Sequence, residues 1–176
     1  MRRVLVGGLT GSGKTTMARR LAEILGVPHV ELDALFWEPG WTEVPLEEFR
    51  ARVDAATAGD GWVVDGNYSR TYDITWPRAD TAVWLDFGVA VSVRRLLRRT
   101  AGRMVTREEL WGTGNRETGA ALLGRDSLIR WAIRKHPELQ ARYPQLAAEH
   151  QNVTLVRLRT PREARRWLRD LRAAHP

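Results

Sequence analysis

Val4-Leu5-Val6, then GLTGSGKT from Gly8 to Thr15, is the stretch on which the fold turns. The eight residues complete the pattern GxxxxGK[ST], with an apolar run before them and the helix-like Met17 to Leu25 after them. The chain holds 15 glycines in 176 residues, and its two lysines are Lys14 and Lys135. A chance match anywhere along it is therefore on the order of one in a thousand. The rest of the 28 basic side chains are arginines, so a lysine at position 14 is an exception. A compact ammonium suits a point contact to phosphate oxygens better than a planar guanidinium does. Gly8, Gly11 and Gly13 let the backbone wrap with its N–H groups turned inward, and the helix that follows aims its positive end at the same anion. Ser12, Lys14, Thr15 and Thr16 complete a cradle for nucleotide phosphates, with the Thr15 hydroxyl offered to Mg²⁺. The alternative is a glycine-rich turn carrying a solvated lysine.

Composition bounds the rest. At 176 residues one domain, 1–176, is the simplest expectation, with enough chain to bury a core. Without cysteine there is neither a disulfide framework nor a thiolate metal site. No apolar run approaches the ~20 residues that span a bilayer, and the first residues enter a strand without a signal-peptide pattern. The expected compartment is the cytoplasm, with no membrane partner and a monomer or homodimer as the assembly. A net charge of +7 and a pI near 10.8 favour anionic partners, whether nucleotides, phosphorylated metabolites or nucleic acid.

Strand and helix patterns alternate. Strands are expected at Arg3 to Gly7, His29 to Leu32, Trp62 to Asp65, Thr81 to Leu85 and Asn152 to Leu158. Helices are expected at Lys14 to Leu25, from Pro45 to the Gly59-Asp60-Gly61 stop, at Val89 to Gly102, and from Pro161 at a first helical position. Arg103 to Glu117 reads as a mobile segment, and Thr118 to Glu149, with Pro137 and Pro144, as broken helix. Strands separated by helices imply a parallel sheet covered on both faces, an α/β three-layer α/β/α fold with ligands at the carboxyl ends of the strands.

Chemistry follows from that frame. A phosphate cradle needs a carboxylate on a neighbouring strand to hold Mg²⁺, usually through water, and Asp65 ends an apolar run at the required place. An Asp-Gly turn explains the same residue. Asp33, just past a strand end, faces the same crevice and is placed to accept a hydroxyl proton or orient an acceptor. Asp86 competes for such roles, or caps the next helix. Arg94, Arg95, Arg98, Arg99, Arg103 and Arg107 crowd one stretch, and Arg95 and Arg99 share a helix face. An arginine delivered by a closing loop stabilises charge on a moving phosphoryl group, which makes Arg103, Arg107 and Arg116 lid candidates. A solvent-facing surface role fits each of them as well.

The combination of GLTGSGKTT, LDALFWEPGW at Leu32 to Trp41, VVDGNYS at Val63 to Ser69, WLDF with RRLLRR, GNRET at Gly114 to Thr118 and RLRTPREARRWL resembles the adenylate-kinase-like small P-loop kinases. Within them it is most similar to the branch known as DNA topology modulation proteins. The resemblance implies a five-stranded parallel sheet in the order 2-3-1-4-5, with an acceptor-binding insertion at about 34–60 and a lid at about 103–117. It further implies that Arg95 and Arg99 contact nucleotide base and phosphates, and that Arg159, Thr160 and Pro161 border the adenine. Asp65-Gly66 matches the start of the Asp-Gly-Phe-Pro-Arg motif of adenylate kinases. Asn67-Tyr68-Ser69 then departs from it and Arg70 is shifted, so the AMP side does not carry over. Trp37, Trp41, Arg50, Tyr68 and Arg70 are the candidates for the acceptor side, although the aromatics also suit a cover for the sheet edge. The leading functional expectation is Mg²⁺-assisted phosphoryl transfer from ATP to a small-molecule acceptor, catalysed by Lys14, Asp33, Asp65, Arg95, Arg99 and Arg116. The alternative is an NTP-binding regulator acting on nucleic acid, less favoured because no recognisable nucleic-acid motif occurs. A GTPase-like switch lacks its Asn-Lys-x-Asp signature.

Overall fold

The computed structural model describes residues 1–118 and 127–175. Among these residues seven strands and seven α-helices follow in chain order. They are β1 Arg3–Gly8, α1 Lys14–Leu25, β2 His29–Glu31, α2 Leu32–Phe36, β3 Trp37–Glu38, β4 Thr42–Glu43, α3 Leu46–Ala56 and β5 Trp62–Asp65. Then come α4 Tyr72–Arg78, β6 Thr81–Leu85, α5 Val89–Thr106, α6 Leu128–Glu149, β7 Thr154–Leu158 and α7 Pro161–Ala173. Five strands form one sheet in the order β2-β5-β1-β6-β7, every neighbouring pair parallel. This is the expected order 2-3-1-4-5, counted over the five long strands.

Parallel strands buried on both faces alternate between two cores. Val4, Val6, Val63, Val83 and Leu85 turn to the side covered by α1 and α7. Leu5, Val64, Trp62, Ala82 and Trp84 turn to the side covered by α2, α3, α4 and α6. Trp84 stacks on Tyr143 of α6 with ring centroids 5.1 Å apart and planes 7° from parallel. The sheet is therefore the middle layer of three, and β1, its central strand, ends at the glycine-rich loop. Among the described residues no helix is long and apolar enough to cross a membrane.

Four local expectations change. Pro137 and Pro144 lie inside one continuous helix, α6, where the sequence suggested a broken one. Each proline costs roughly 3 kcal/mol in isolation, but Ala132, Leu139, Tyr143 and Leu146 recur on one buried face and their packing outweighs that cost. The part of the expected broken helix at 119–126 lies outside the described residues. α5 continues past Gly102 to Thr106, and Arg107 closes it with a left-handed backbone at φ 51°. Asp86 does not cap α5, whose N-cap is Gly88. It holds the Arg157 guanidinium instead, at 2.9 and 2.7 Å. Finally, the insertion after β2 contains α2 and the small antiparallel pair β3–β4, and α4 appears where no element was expected.

Candidate active site

β1 delivers the chain into the loop, and two glycines allow the loop to turn. Gly11 and Gly13 have φ of 78° and 95°, and a Cβ on Gly11 would lie 2.2 Å from the Ser92 carbonyl oxygen. Gly13 is also the N-cap of α1 and brings no capping side chain. The first N–H groups of the helix thus face the loop's hollow and suit an anion there. The Lys14 ammonium donates to the Leu9 carbonyl at 3.1 Å. Burial pulls its pKa below the ordinary lysine value, with Arg99 adding to the effect and the carboxylates of Asp33, Asp65 and Glu31 opposing it. A phosphate in the loop would favour the charged ammonium.

Asp65 ends β5 and is 2 % exposed. Its Oδ1 lies 3.6 Å from His29 Nε2, while Oδ2 is buried with no hydrogen-bond partner among the described residues. One orphaned carboxylate oxygen beside a phosphate cradle fits Mg²⁺, which keeps several waters and takes one or two carboxylates with substrate phosphates. Among the described residues no cluster of three or more His, Cys, Asp or Glu forms an all-protein cage.

A cleft of about 800 Å³ opens over the loop. Gly11, Gly13, Lys14, Thr15, Thr16, Asp33, Trp37, Trp41, Asp65, Tyr68, Arg99 and Arg116 all line it. Tyr68 donates its hydroxyl to Asp33 Oδ1 at 2.6 Å. Burial, together with the Asp33 charge and that hydrogen bond, drives the phenol far above its ordinary range, so Tyr68 stays a donor. Opposite, Glu117 gathers Arg99 at 2.9 Å, Arg103 at 2.7 Å and the Thr100 hydroxyl at 2.6 Å. Burial pushes the Glu117 carboxyl up, but these partners outweigh it and hold the pKa below the usual value. The segment after α5, read from the sequence as a mobile lid, packs on the insertion. Asn115 accepts from the Trp41 N–H at 3.0 Å and donates to the Glu38 carbonyl at 2.9 Å.

Arg95 and Arg99 do not share one anion position. Arg99 lines the main cleft, whereas Arg95 donates to the Ser12 carbonyl at 3.0 Å and enters a second hollow of about 240 Å³ with Ser12, Gly13, Thr16 and Pro161. Gly13 and Thr16 border both spaces, which places the second hollow where the rest of a nucleotide could extend. Arg159 and Thr160 line neither. The Thr160 hydroxyl caps α7 by accepting from the Glu163 N–H at 3.1 Å, and the Arg159 N–H donates to the Glu163 carboxylate at 2.8 Å. Arg50 and Arg70 also lie outside the cleft. Arg50 is drawn to the Asp73 carboxylate at 2.9 and 2.6 Å and to the Arg70 carbonyl, and Arg70 is exposed.

Sequence reasoning passed over several residues here. Glu31 and Trp111 line the cleft. Asn67 clamps Gly8 from both sides, accepting from its N–H at 3.2 Å and donating to its carbonyl at 2.5 Å. Tyr143 of α6 donates to Asn67 Oδ1 at 2.9 Å. Glu31 ends β2 two residues before Asp33 in α2, a signal that was readable; Asn67 depends on a contact from a distant helix and was not. Asn67→Ala leaves the Gly8 amide groups unpaired. It should lower stability by about 1–3 kcal/mol and raise the KM for a nucleoside triphosphate, read by denaturant unfolding and steady-state kinetics.

No protein-family model matches the chain. The cytidylate kinase of Pyrococcus horikoshii is 28 % identical over 120 residues, 54 % of this chain and 56 % of that protein, so the match spans little more than half of its length. The cytidylate kinase of Methanobrevibacter smithii is 27 % identical over 124 residues, 61 % of this chain and 70 % of that protein. The solved shikimate kinase from Bacteroides thetaiotaomicron superposes with a TM-score of 0.58 at 19 % identity, covering 98 % of this chain and 97 % of that one. The gluconokinase from Sinorhizobium meliloti superposes with a TM-score of 0.52 at 18 % identity, over 98 % and 94 %. The fold is that of the small P-loop kinases. In this chain the start of α1, the start of α2 and the end of β5 meet at one cleft, which is where Lys14, Asp33 and Asp65 stand.

Proposed function

We propose that the protein transfers the γ-phosphoryl group of ATP to a hydroxyl of a small-molecule acceptor. The observation that carries this reading is a single cleft lined by Lys14, Asp33 and Asp65 together. The likeness to cytidylate kinases in sequence supports it. Gly11, Gly13, Lys14 and Thr16 hold the phosphates of the donor, and Arg95 and Pro161 border its far end. Thr15 and Asp65 would hold Mg²⁺, which when bound would neutralise developing charge on the donor phosphates. Asp33, steadied by Tyr68, receives the acceptor's hydroxyl proton. The acceptor oxygen bonds to the γ-phosphorus as the bridging bond to the β-phosphate breaks, ADP leaves, and the proton passes from Asp33 to solvent. Arg99, Arg103 and Arg116 stabilise the transferring group from the lid side.

ADP release that depends on an added acceptor, from a panel of nucleosides, nucleotides, sugars and sugar acids with ATP and Mg²⁺, tests the reading. ADP release indifferent to every acceptor counts against it. A second reading, action on nucleic acid, draws on the exposed arginines Arg162, Arg165, Arg166, Arg169 and Arg172 along α7. It requires duplex binding with a steep salt dependence that persists at physiological salt.

A further inference from the structure

The acceptor end of the cleft has a continuous aromatic wall with a carboxylate at each end. From Asp33 it passes to Tyr68 by the 2.6 Å hydrogen bond and to Phe36, its ring 4.9 Å away. Phe36 meets Trp37 at 4.9 Å, Trp37 meets Trp41 at 5.6 Å, and Trp41 meets Trp111 at 5.9 Å, all three edge-to-face. Trp111 lines the cleft together with Glu31, close enough to lower the Glu31 pKa. Glu31 and Asp33 flank the junction of β2 and α2, so the wall begins and ends on one short stretch of backbone.

Two tryptophans are held there at a cost. Trp41 and Trp111 have φ of 60° and 55°, a left-handed backbone that bulky side chains rarely adopt. Trp41 is nonetheless 40 % exposed, and its backbone is fastened by Asn115. Strain spent to present an exposed ring beside a cleft is a feature of ligand clamps rather than of a sheet cover.

The charges around this wall are negative. Burial raises the Glu31 pKa, Asp65 and Asp33 add to it, and Trp111 and His29 oppose it. The insertion's own guanidiniums are occupied elsewhere, Arg50 by Asp73 and Arg52 by Glu38 and Glu48. The cations that line the cleft stand on other walls: Lys14 and Arg19 on α1, Arg99 and Arg103 on α5, and Arg116 next to Glu117. With a triphosphate seated those cations have an anion, while among the described residues neither Glu31 nor Asp33 forms an ion pair.

We infer that the acceptor is a hydroxyl compound carrying a positively charged nitrogen, with the cation against the Trp41 and Trp111 rings and the Glu31 carboxylate and the hydroxyl at Asp33. Indole faces attract such cations, and a carboxylate beside them adds a charge-assisted contact. The identity of the acceptor class rests on the phosphoryl-transfer reading above; the cation site does not require it.

Choline, titrated without ATP and followed by tryptophan fluorescence, probes the site directly. A saturable change is expected, with affinity falling about tenfold in Glu31→Gln, the loss of one Coulombic ion pair, and falling likewise in Trp41→Ala should the first variant fold poorly. With ATP and Mg²⁺, glucosamine should be phosphorylated with a KM at least about tenfold below that of glucose, which shares its frame without the positive charge, and below that of gluconate, an open-chain anion. A silent choline titration, or gluconate or glucose preferred to glucosamine, overturns the inference. Choline binding in a protein that calorimetry shows takes up no ATP would keep the cation site and sink the kinase reading instead.

Discussion

Lys14→Ala should reduce acceptor-dependent ADP release by about 10³-fold or more, the scale on which single cationic or donor groups act on a transferring phosphoryl. Its fold should survive. Among the described residues the ammonium makes one hydrogen bond, to the Leu9 carbonyl, and its pKa is lowered chiefly by burial, so the folded chain holds this charge against a penalty that alanine does not carry. The sign can be followed with pH. A lysine with a folded pKa below its unfolded value burdens the fold fully at pH below both, and the burden fades as pH rises from the folded value toward the ordinary 10.5. The wild-type protein should therefore gain stability relative to Lys14→Ala across that alkaline window, a difference readable by thermal unfolding of the two proteins side by side. Calorimetry should show ATP uptake lost in the variant. Full turnover in Lys14→Ala would remove the proposed donor site.

What the sequence could disclose divides along physical lines. β5 and β6 were legible to the residue because apolar runs bounded by Gly and Asp are local signals. α1 was legible because a phosphate loop opens it and Gly26 closes it, left-handed at φ 64°. Lys14, Asp33 and Asp65 were legible because each ends or follows one of those elements, and parallel strands bring their carboxyl ends together. α6 was misjudged at Pro137 and Pro144 because a proline's penalty is local whereas the buried stripe that offsets it is tertiary. Arg50 and Arg70 were drawn to the acceptor by position in the chain, yet Asp73, on a helix the sequence hid, holds Arg50 elsewhere. Trp111 and Asn115 belong to a segment whose partner, the β3–β4 pair, is distant in sequence, so no periodicity announced them.

Asp33→Asn should lower kcat by about 10²–10⁴-fold, the range of a positioned general base. The substitution keeps the shape and still accepts the Tyr68 hydroxyl, which now donates at 2.6 Å, so the aromatic wall stays in place and the loss isolates the charge. A second effect follows at Lys14. Asp33 is the foremost group opposing the burial that depresses the Lys14 pKa; with its charge gone that pKa falls further. Because the cradle needs a charged ammonium, the alkaline limb of kcat/KM for ATP should move to lower pH in Asp33→Asn. A residue that merely shaped the pocket would alter the acceptor KM and leave that limb where it was. Unchanged kcat at saturating acceptor would mean that the proton leaves by another route, and an unmoved alkaline limb would mean that Asp33 and Lys14 do not share one electrostatic site.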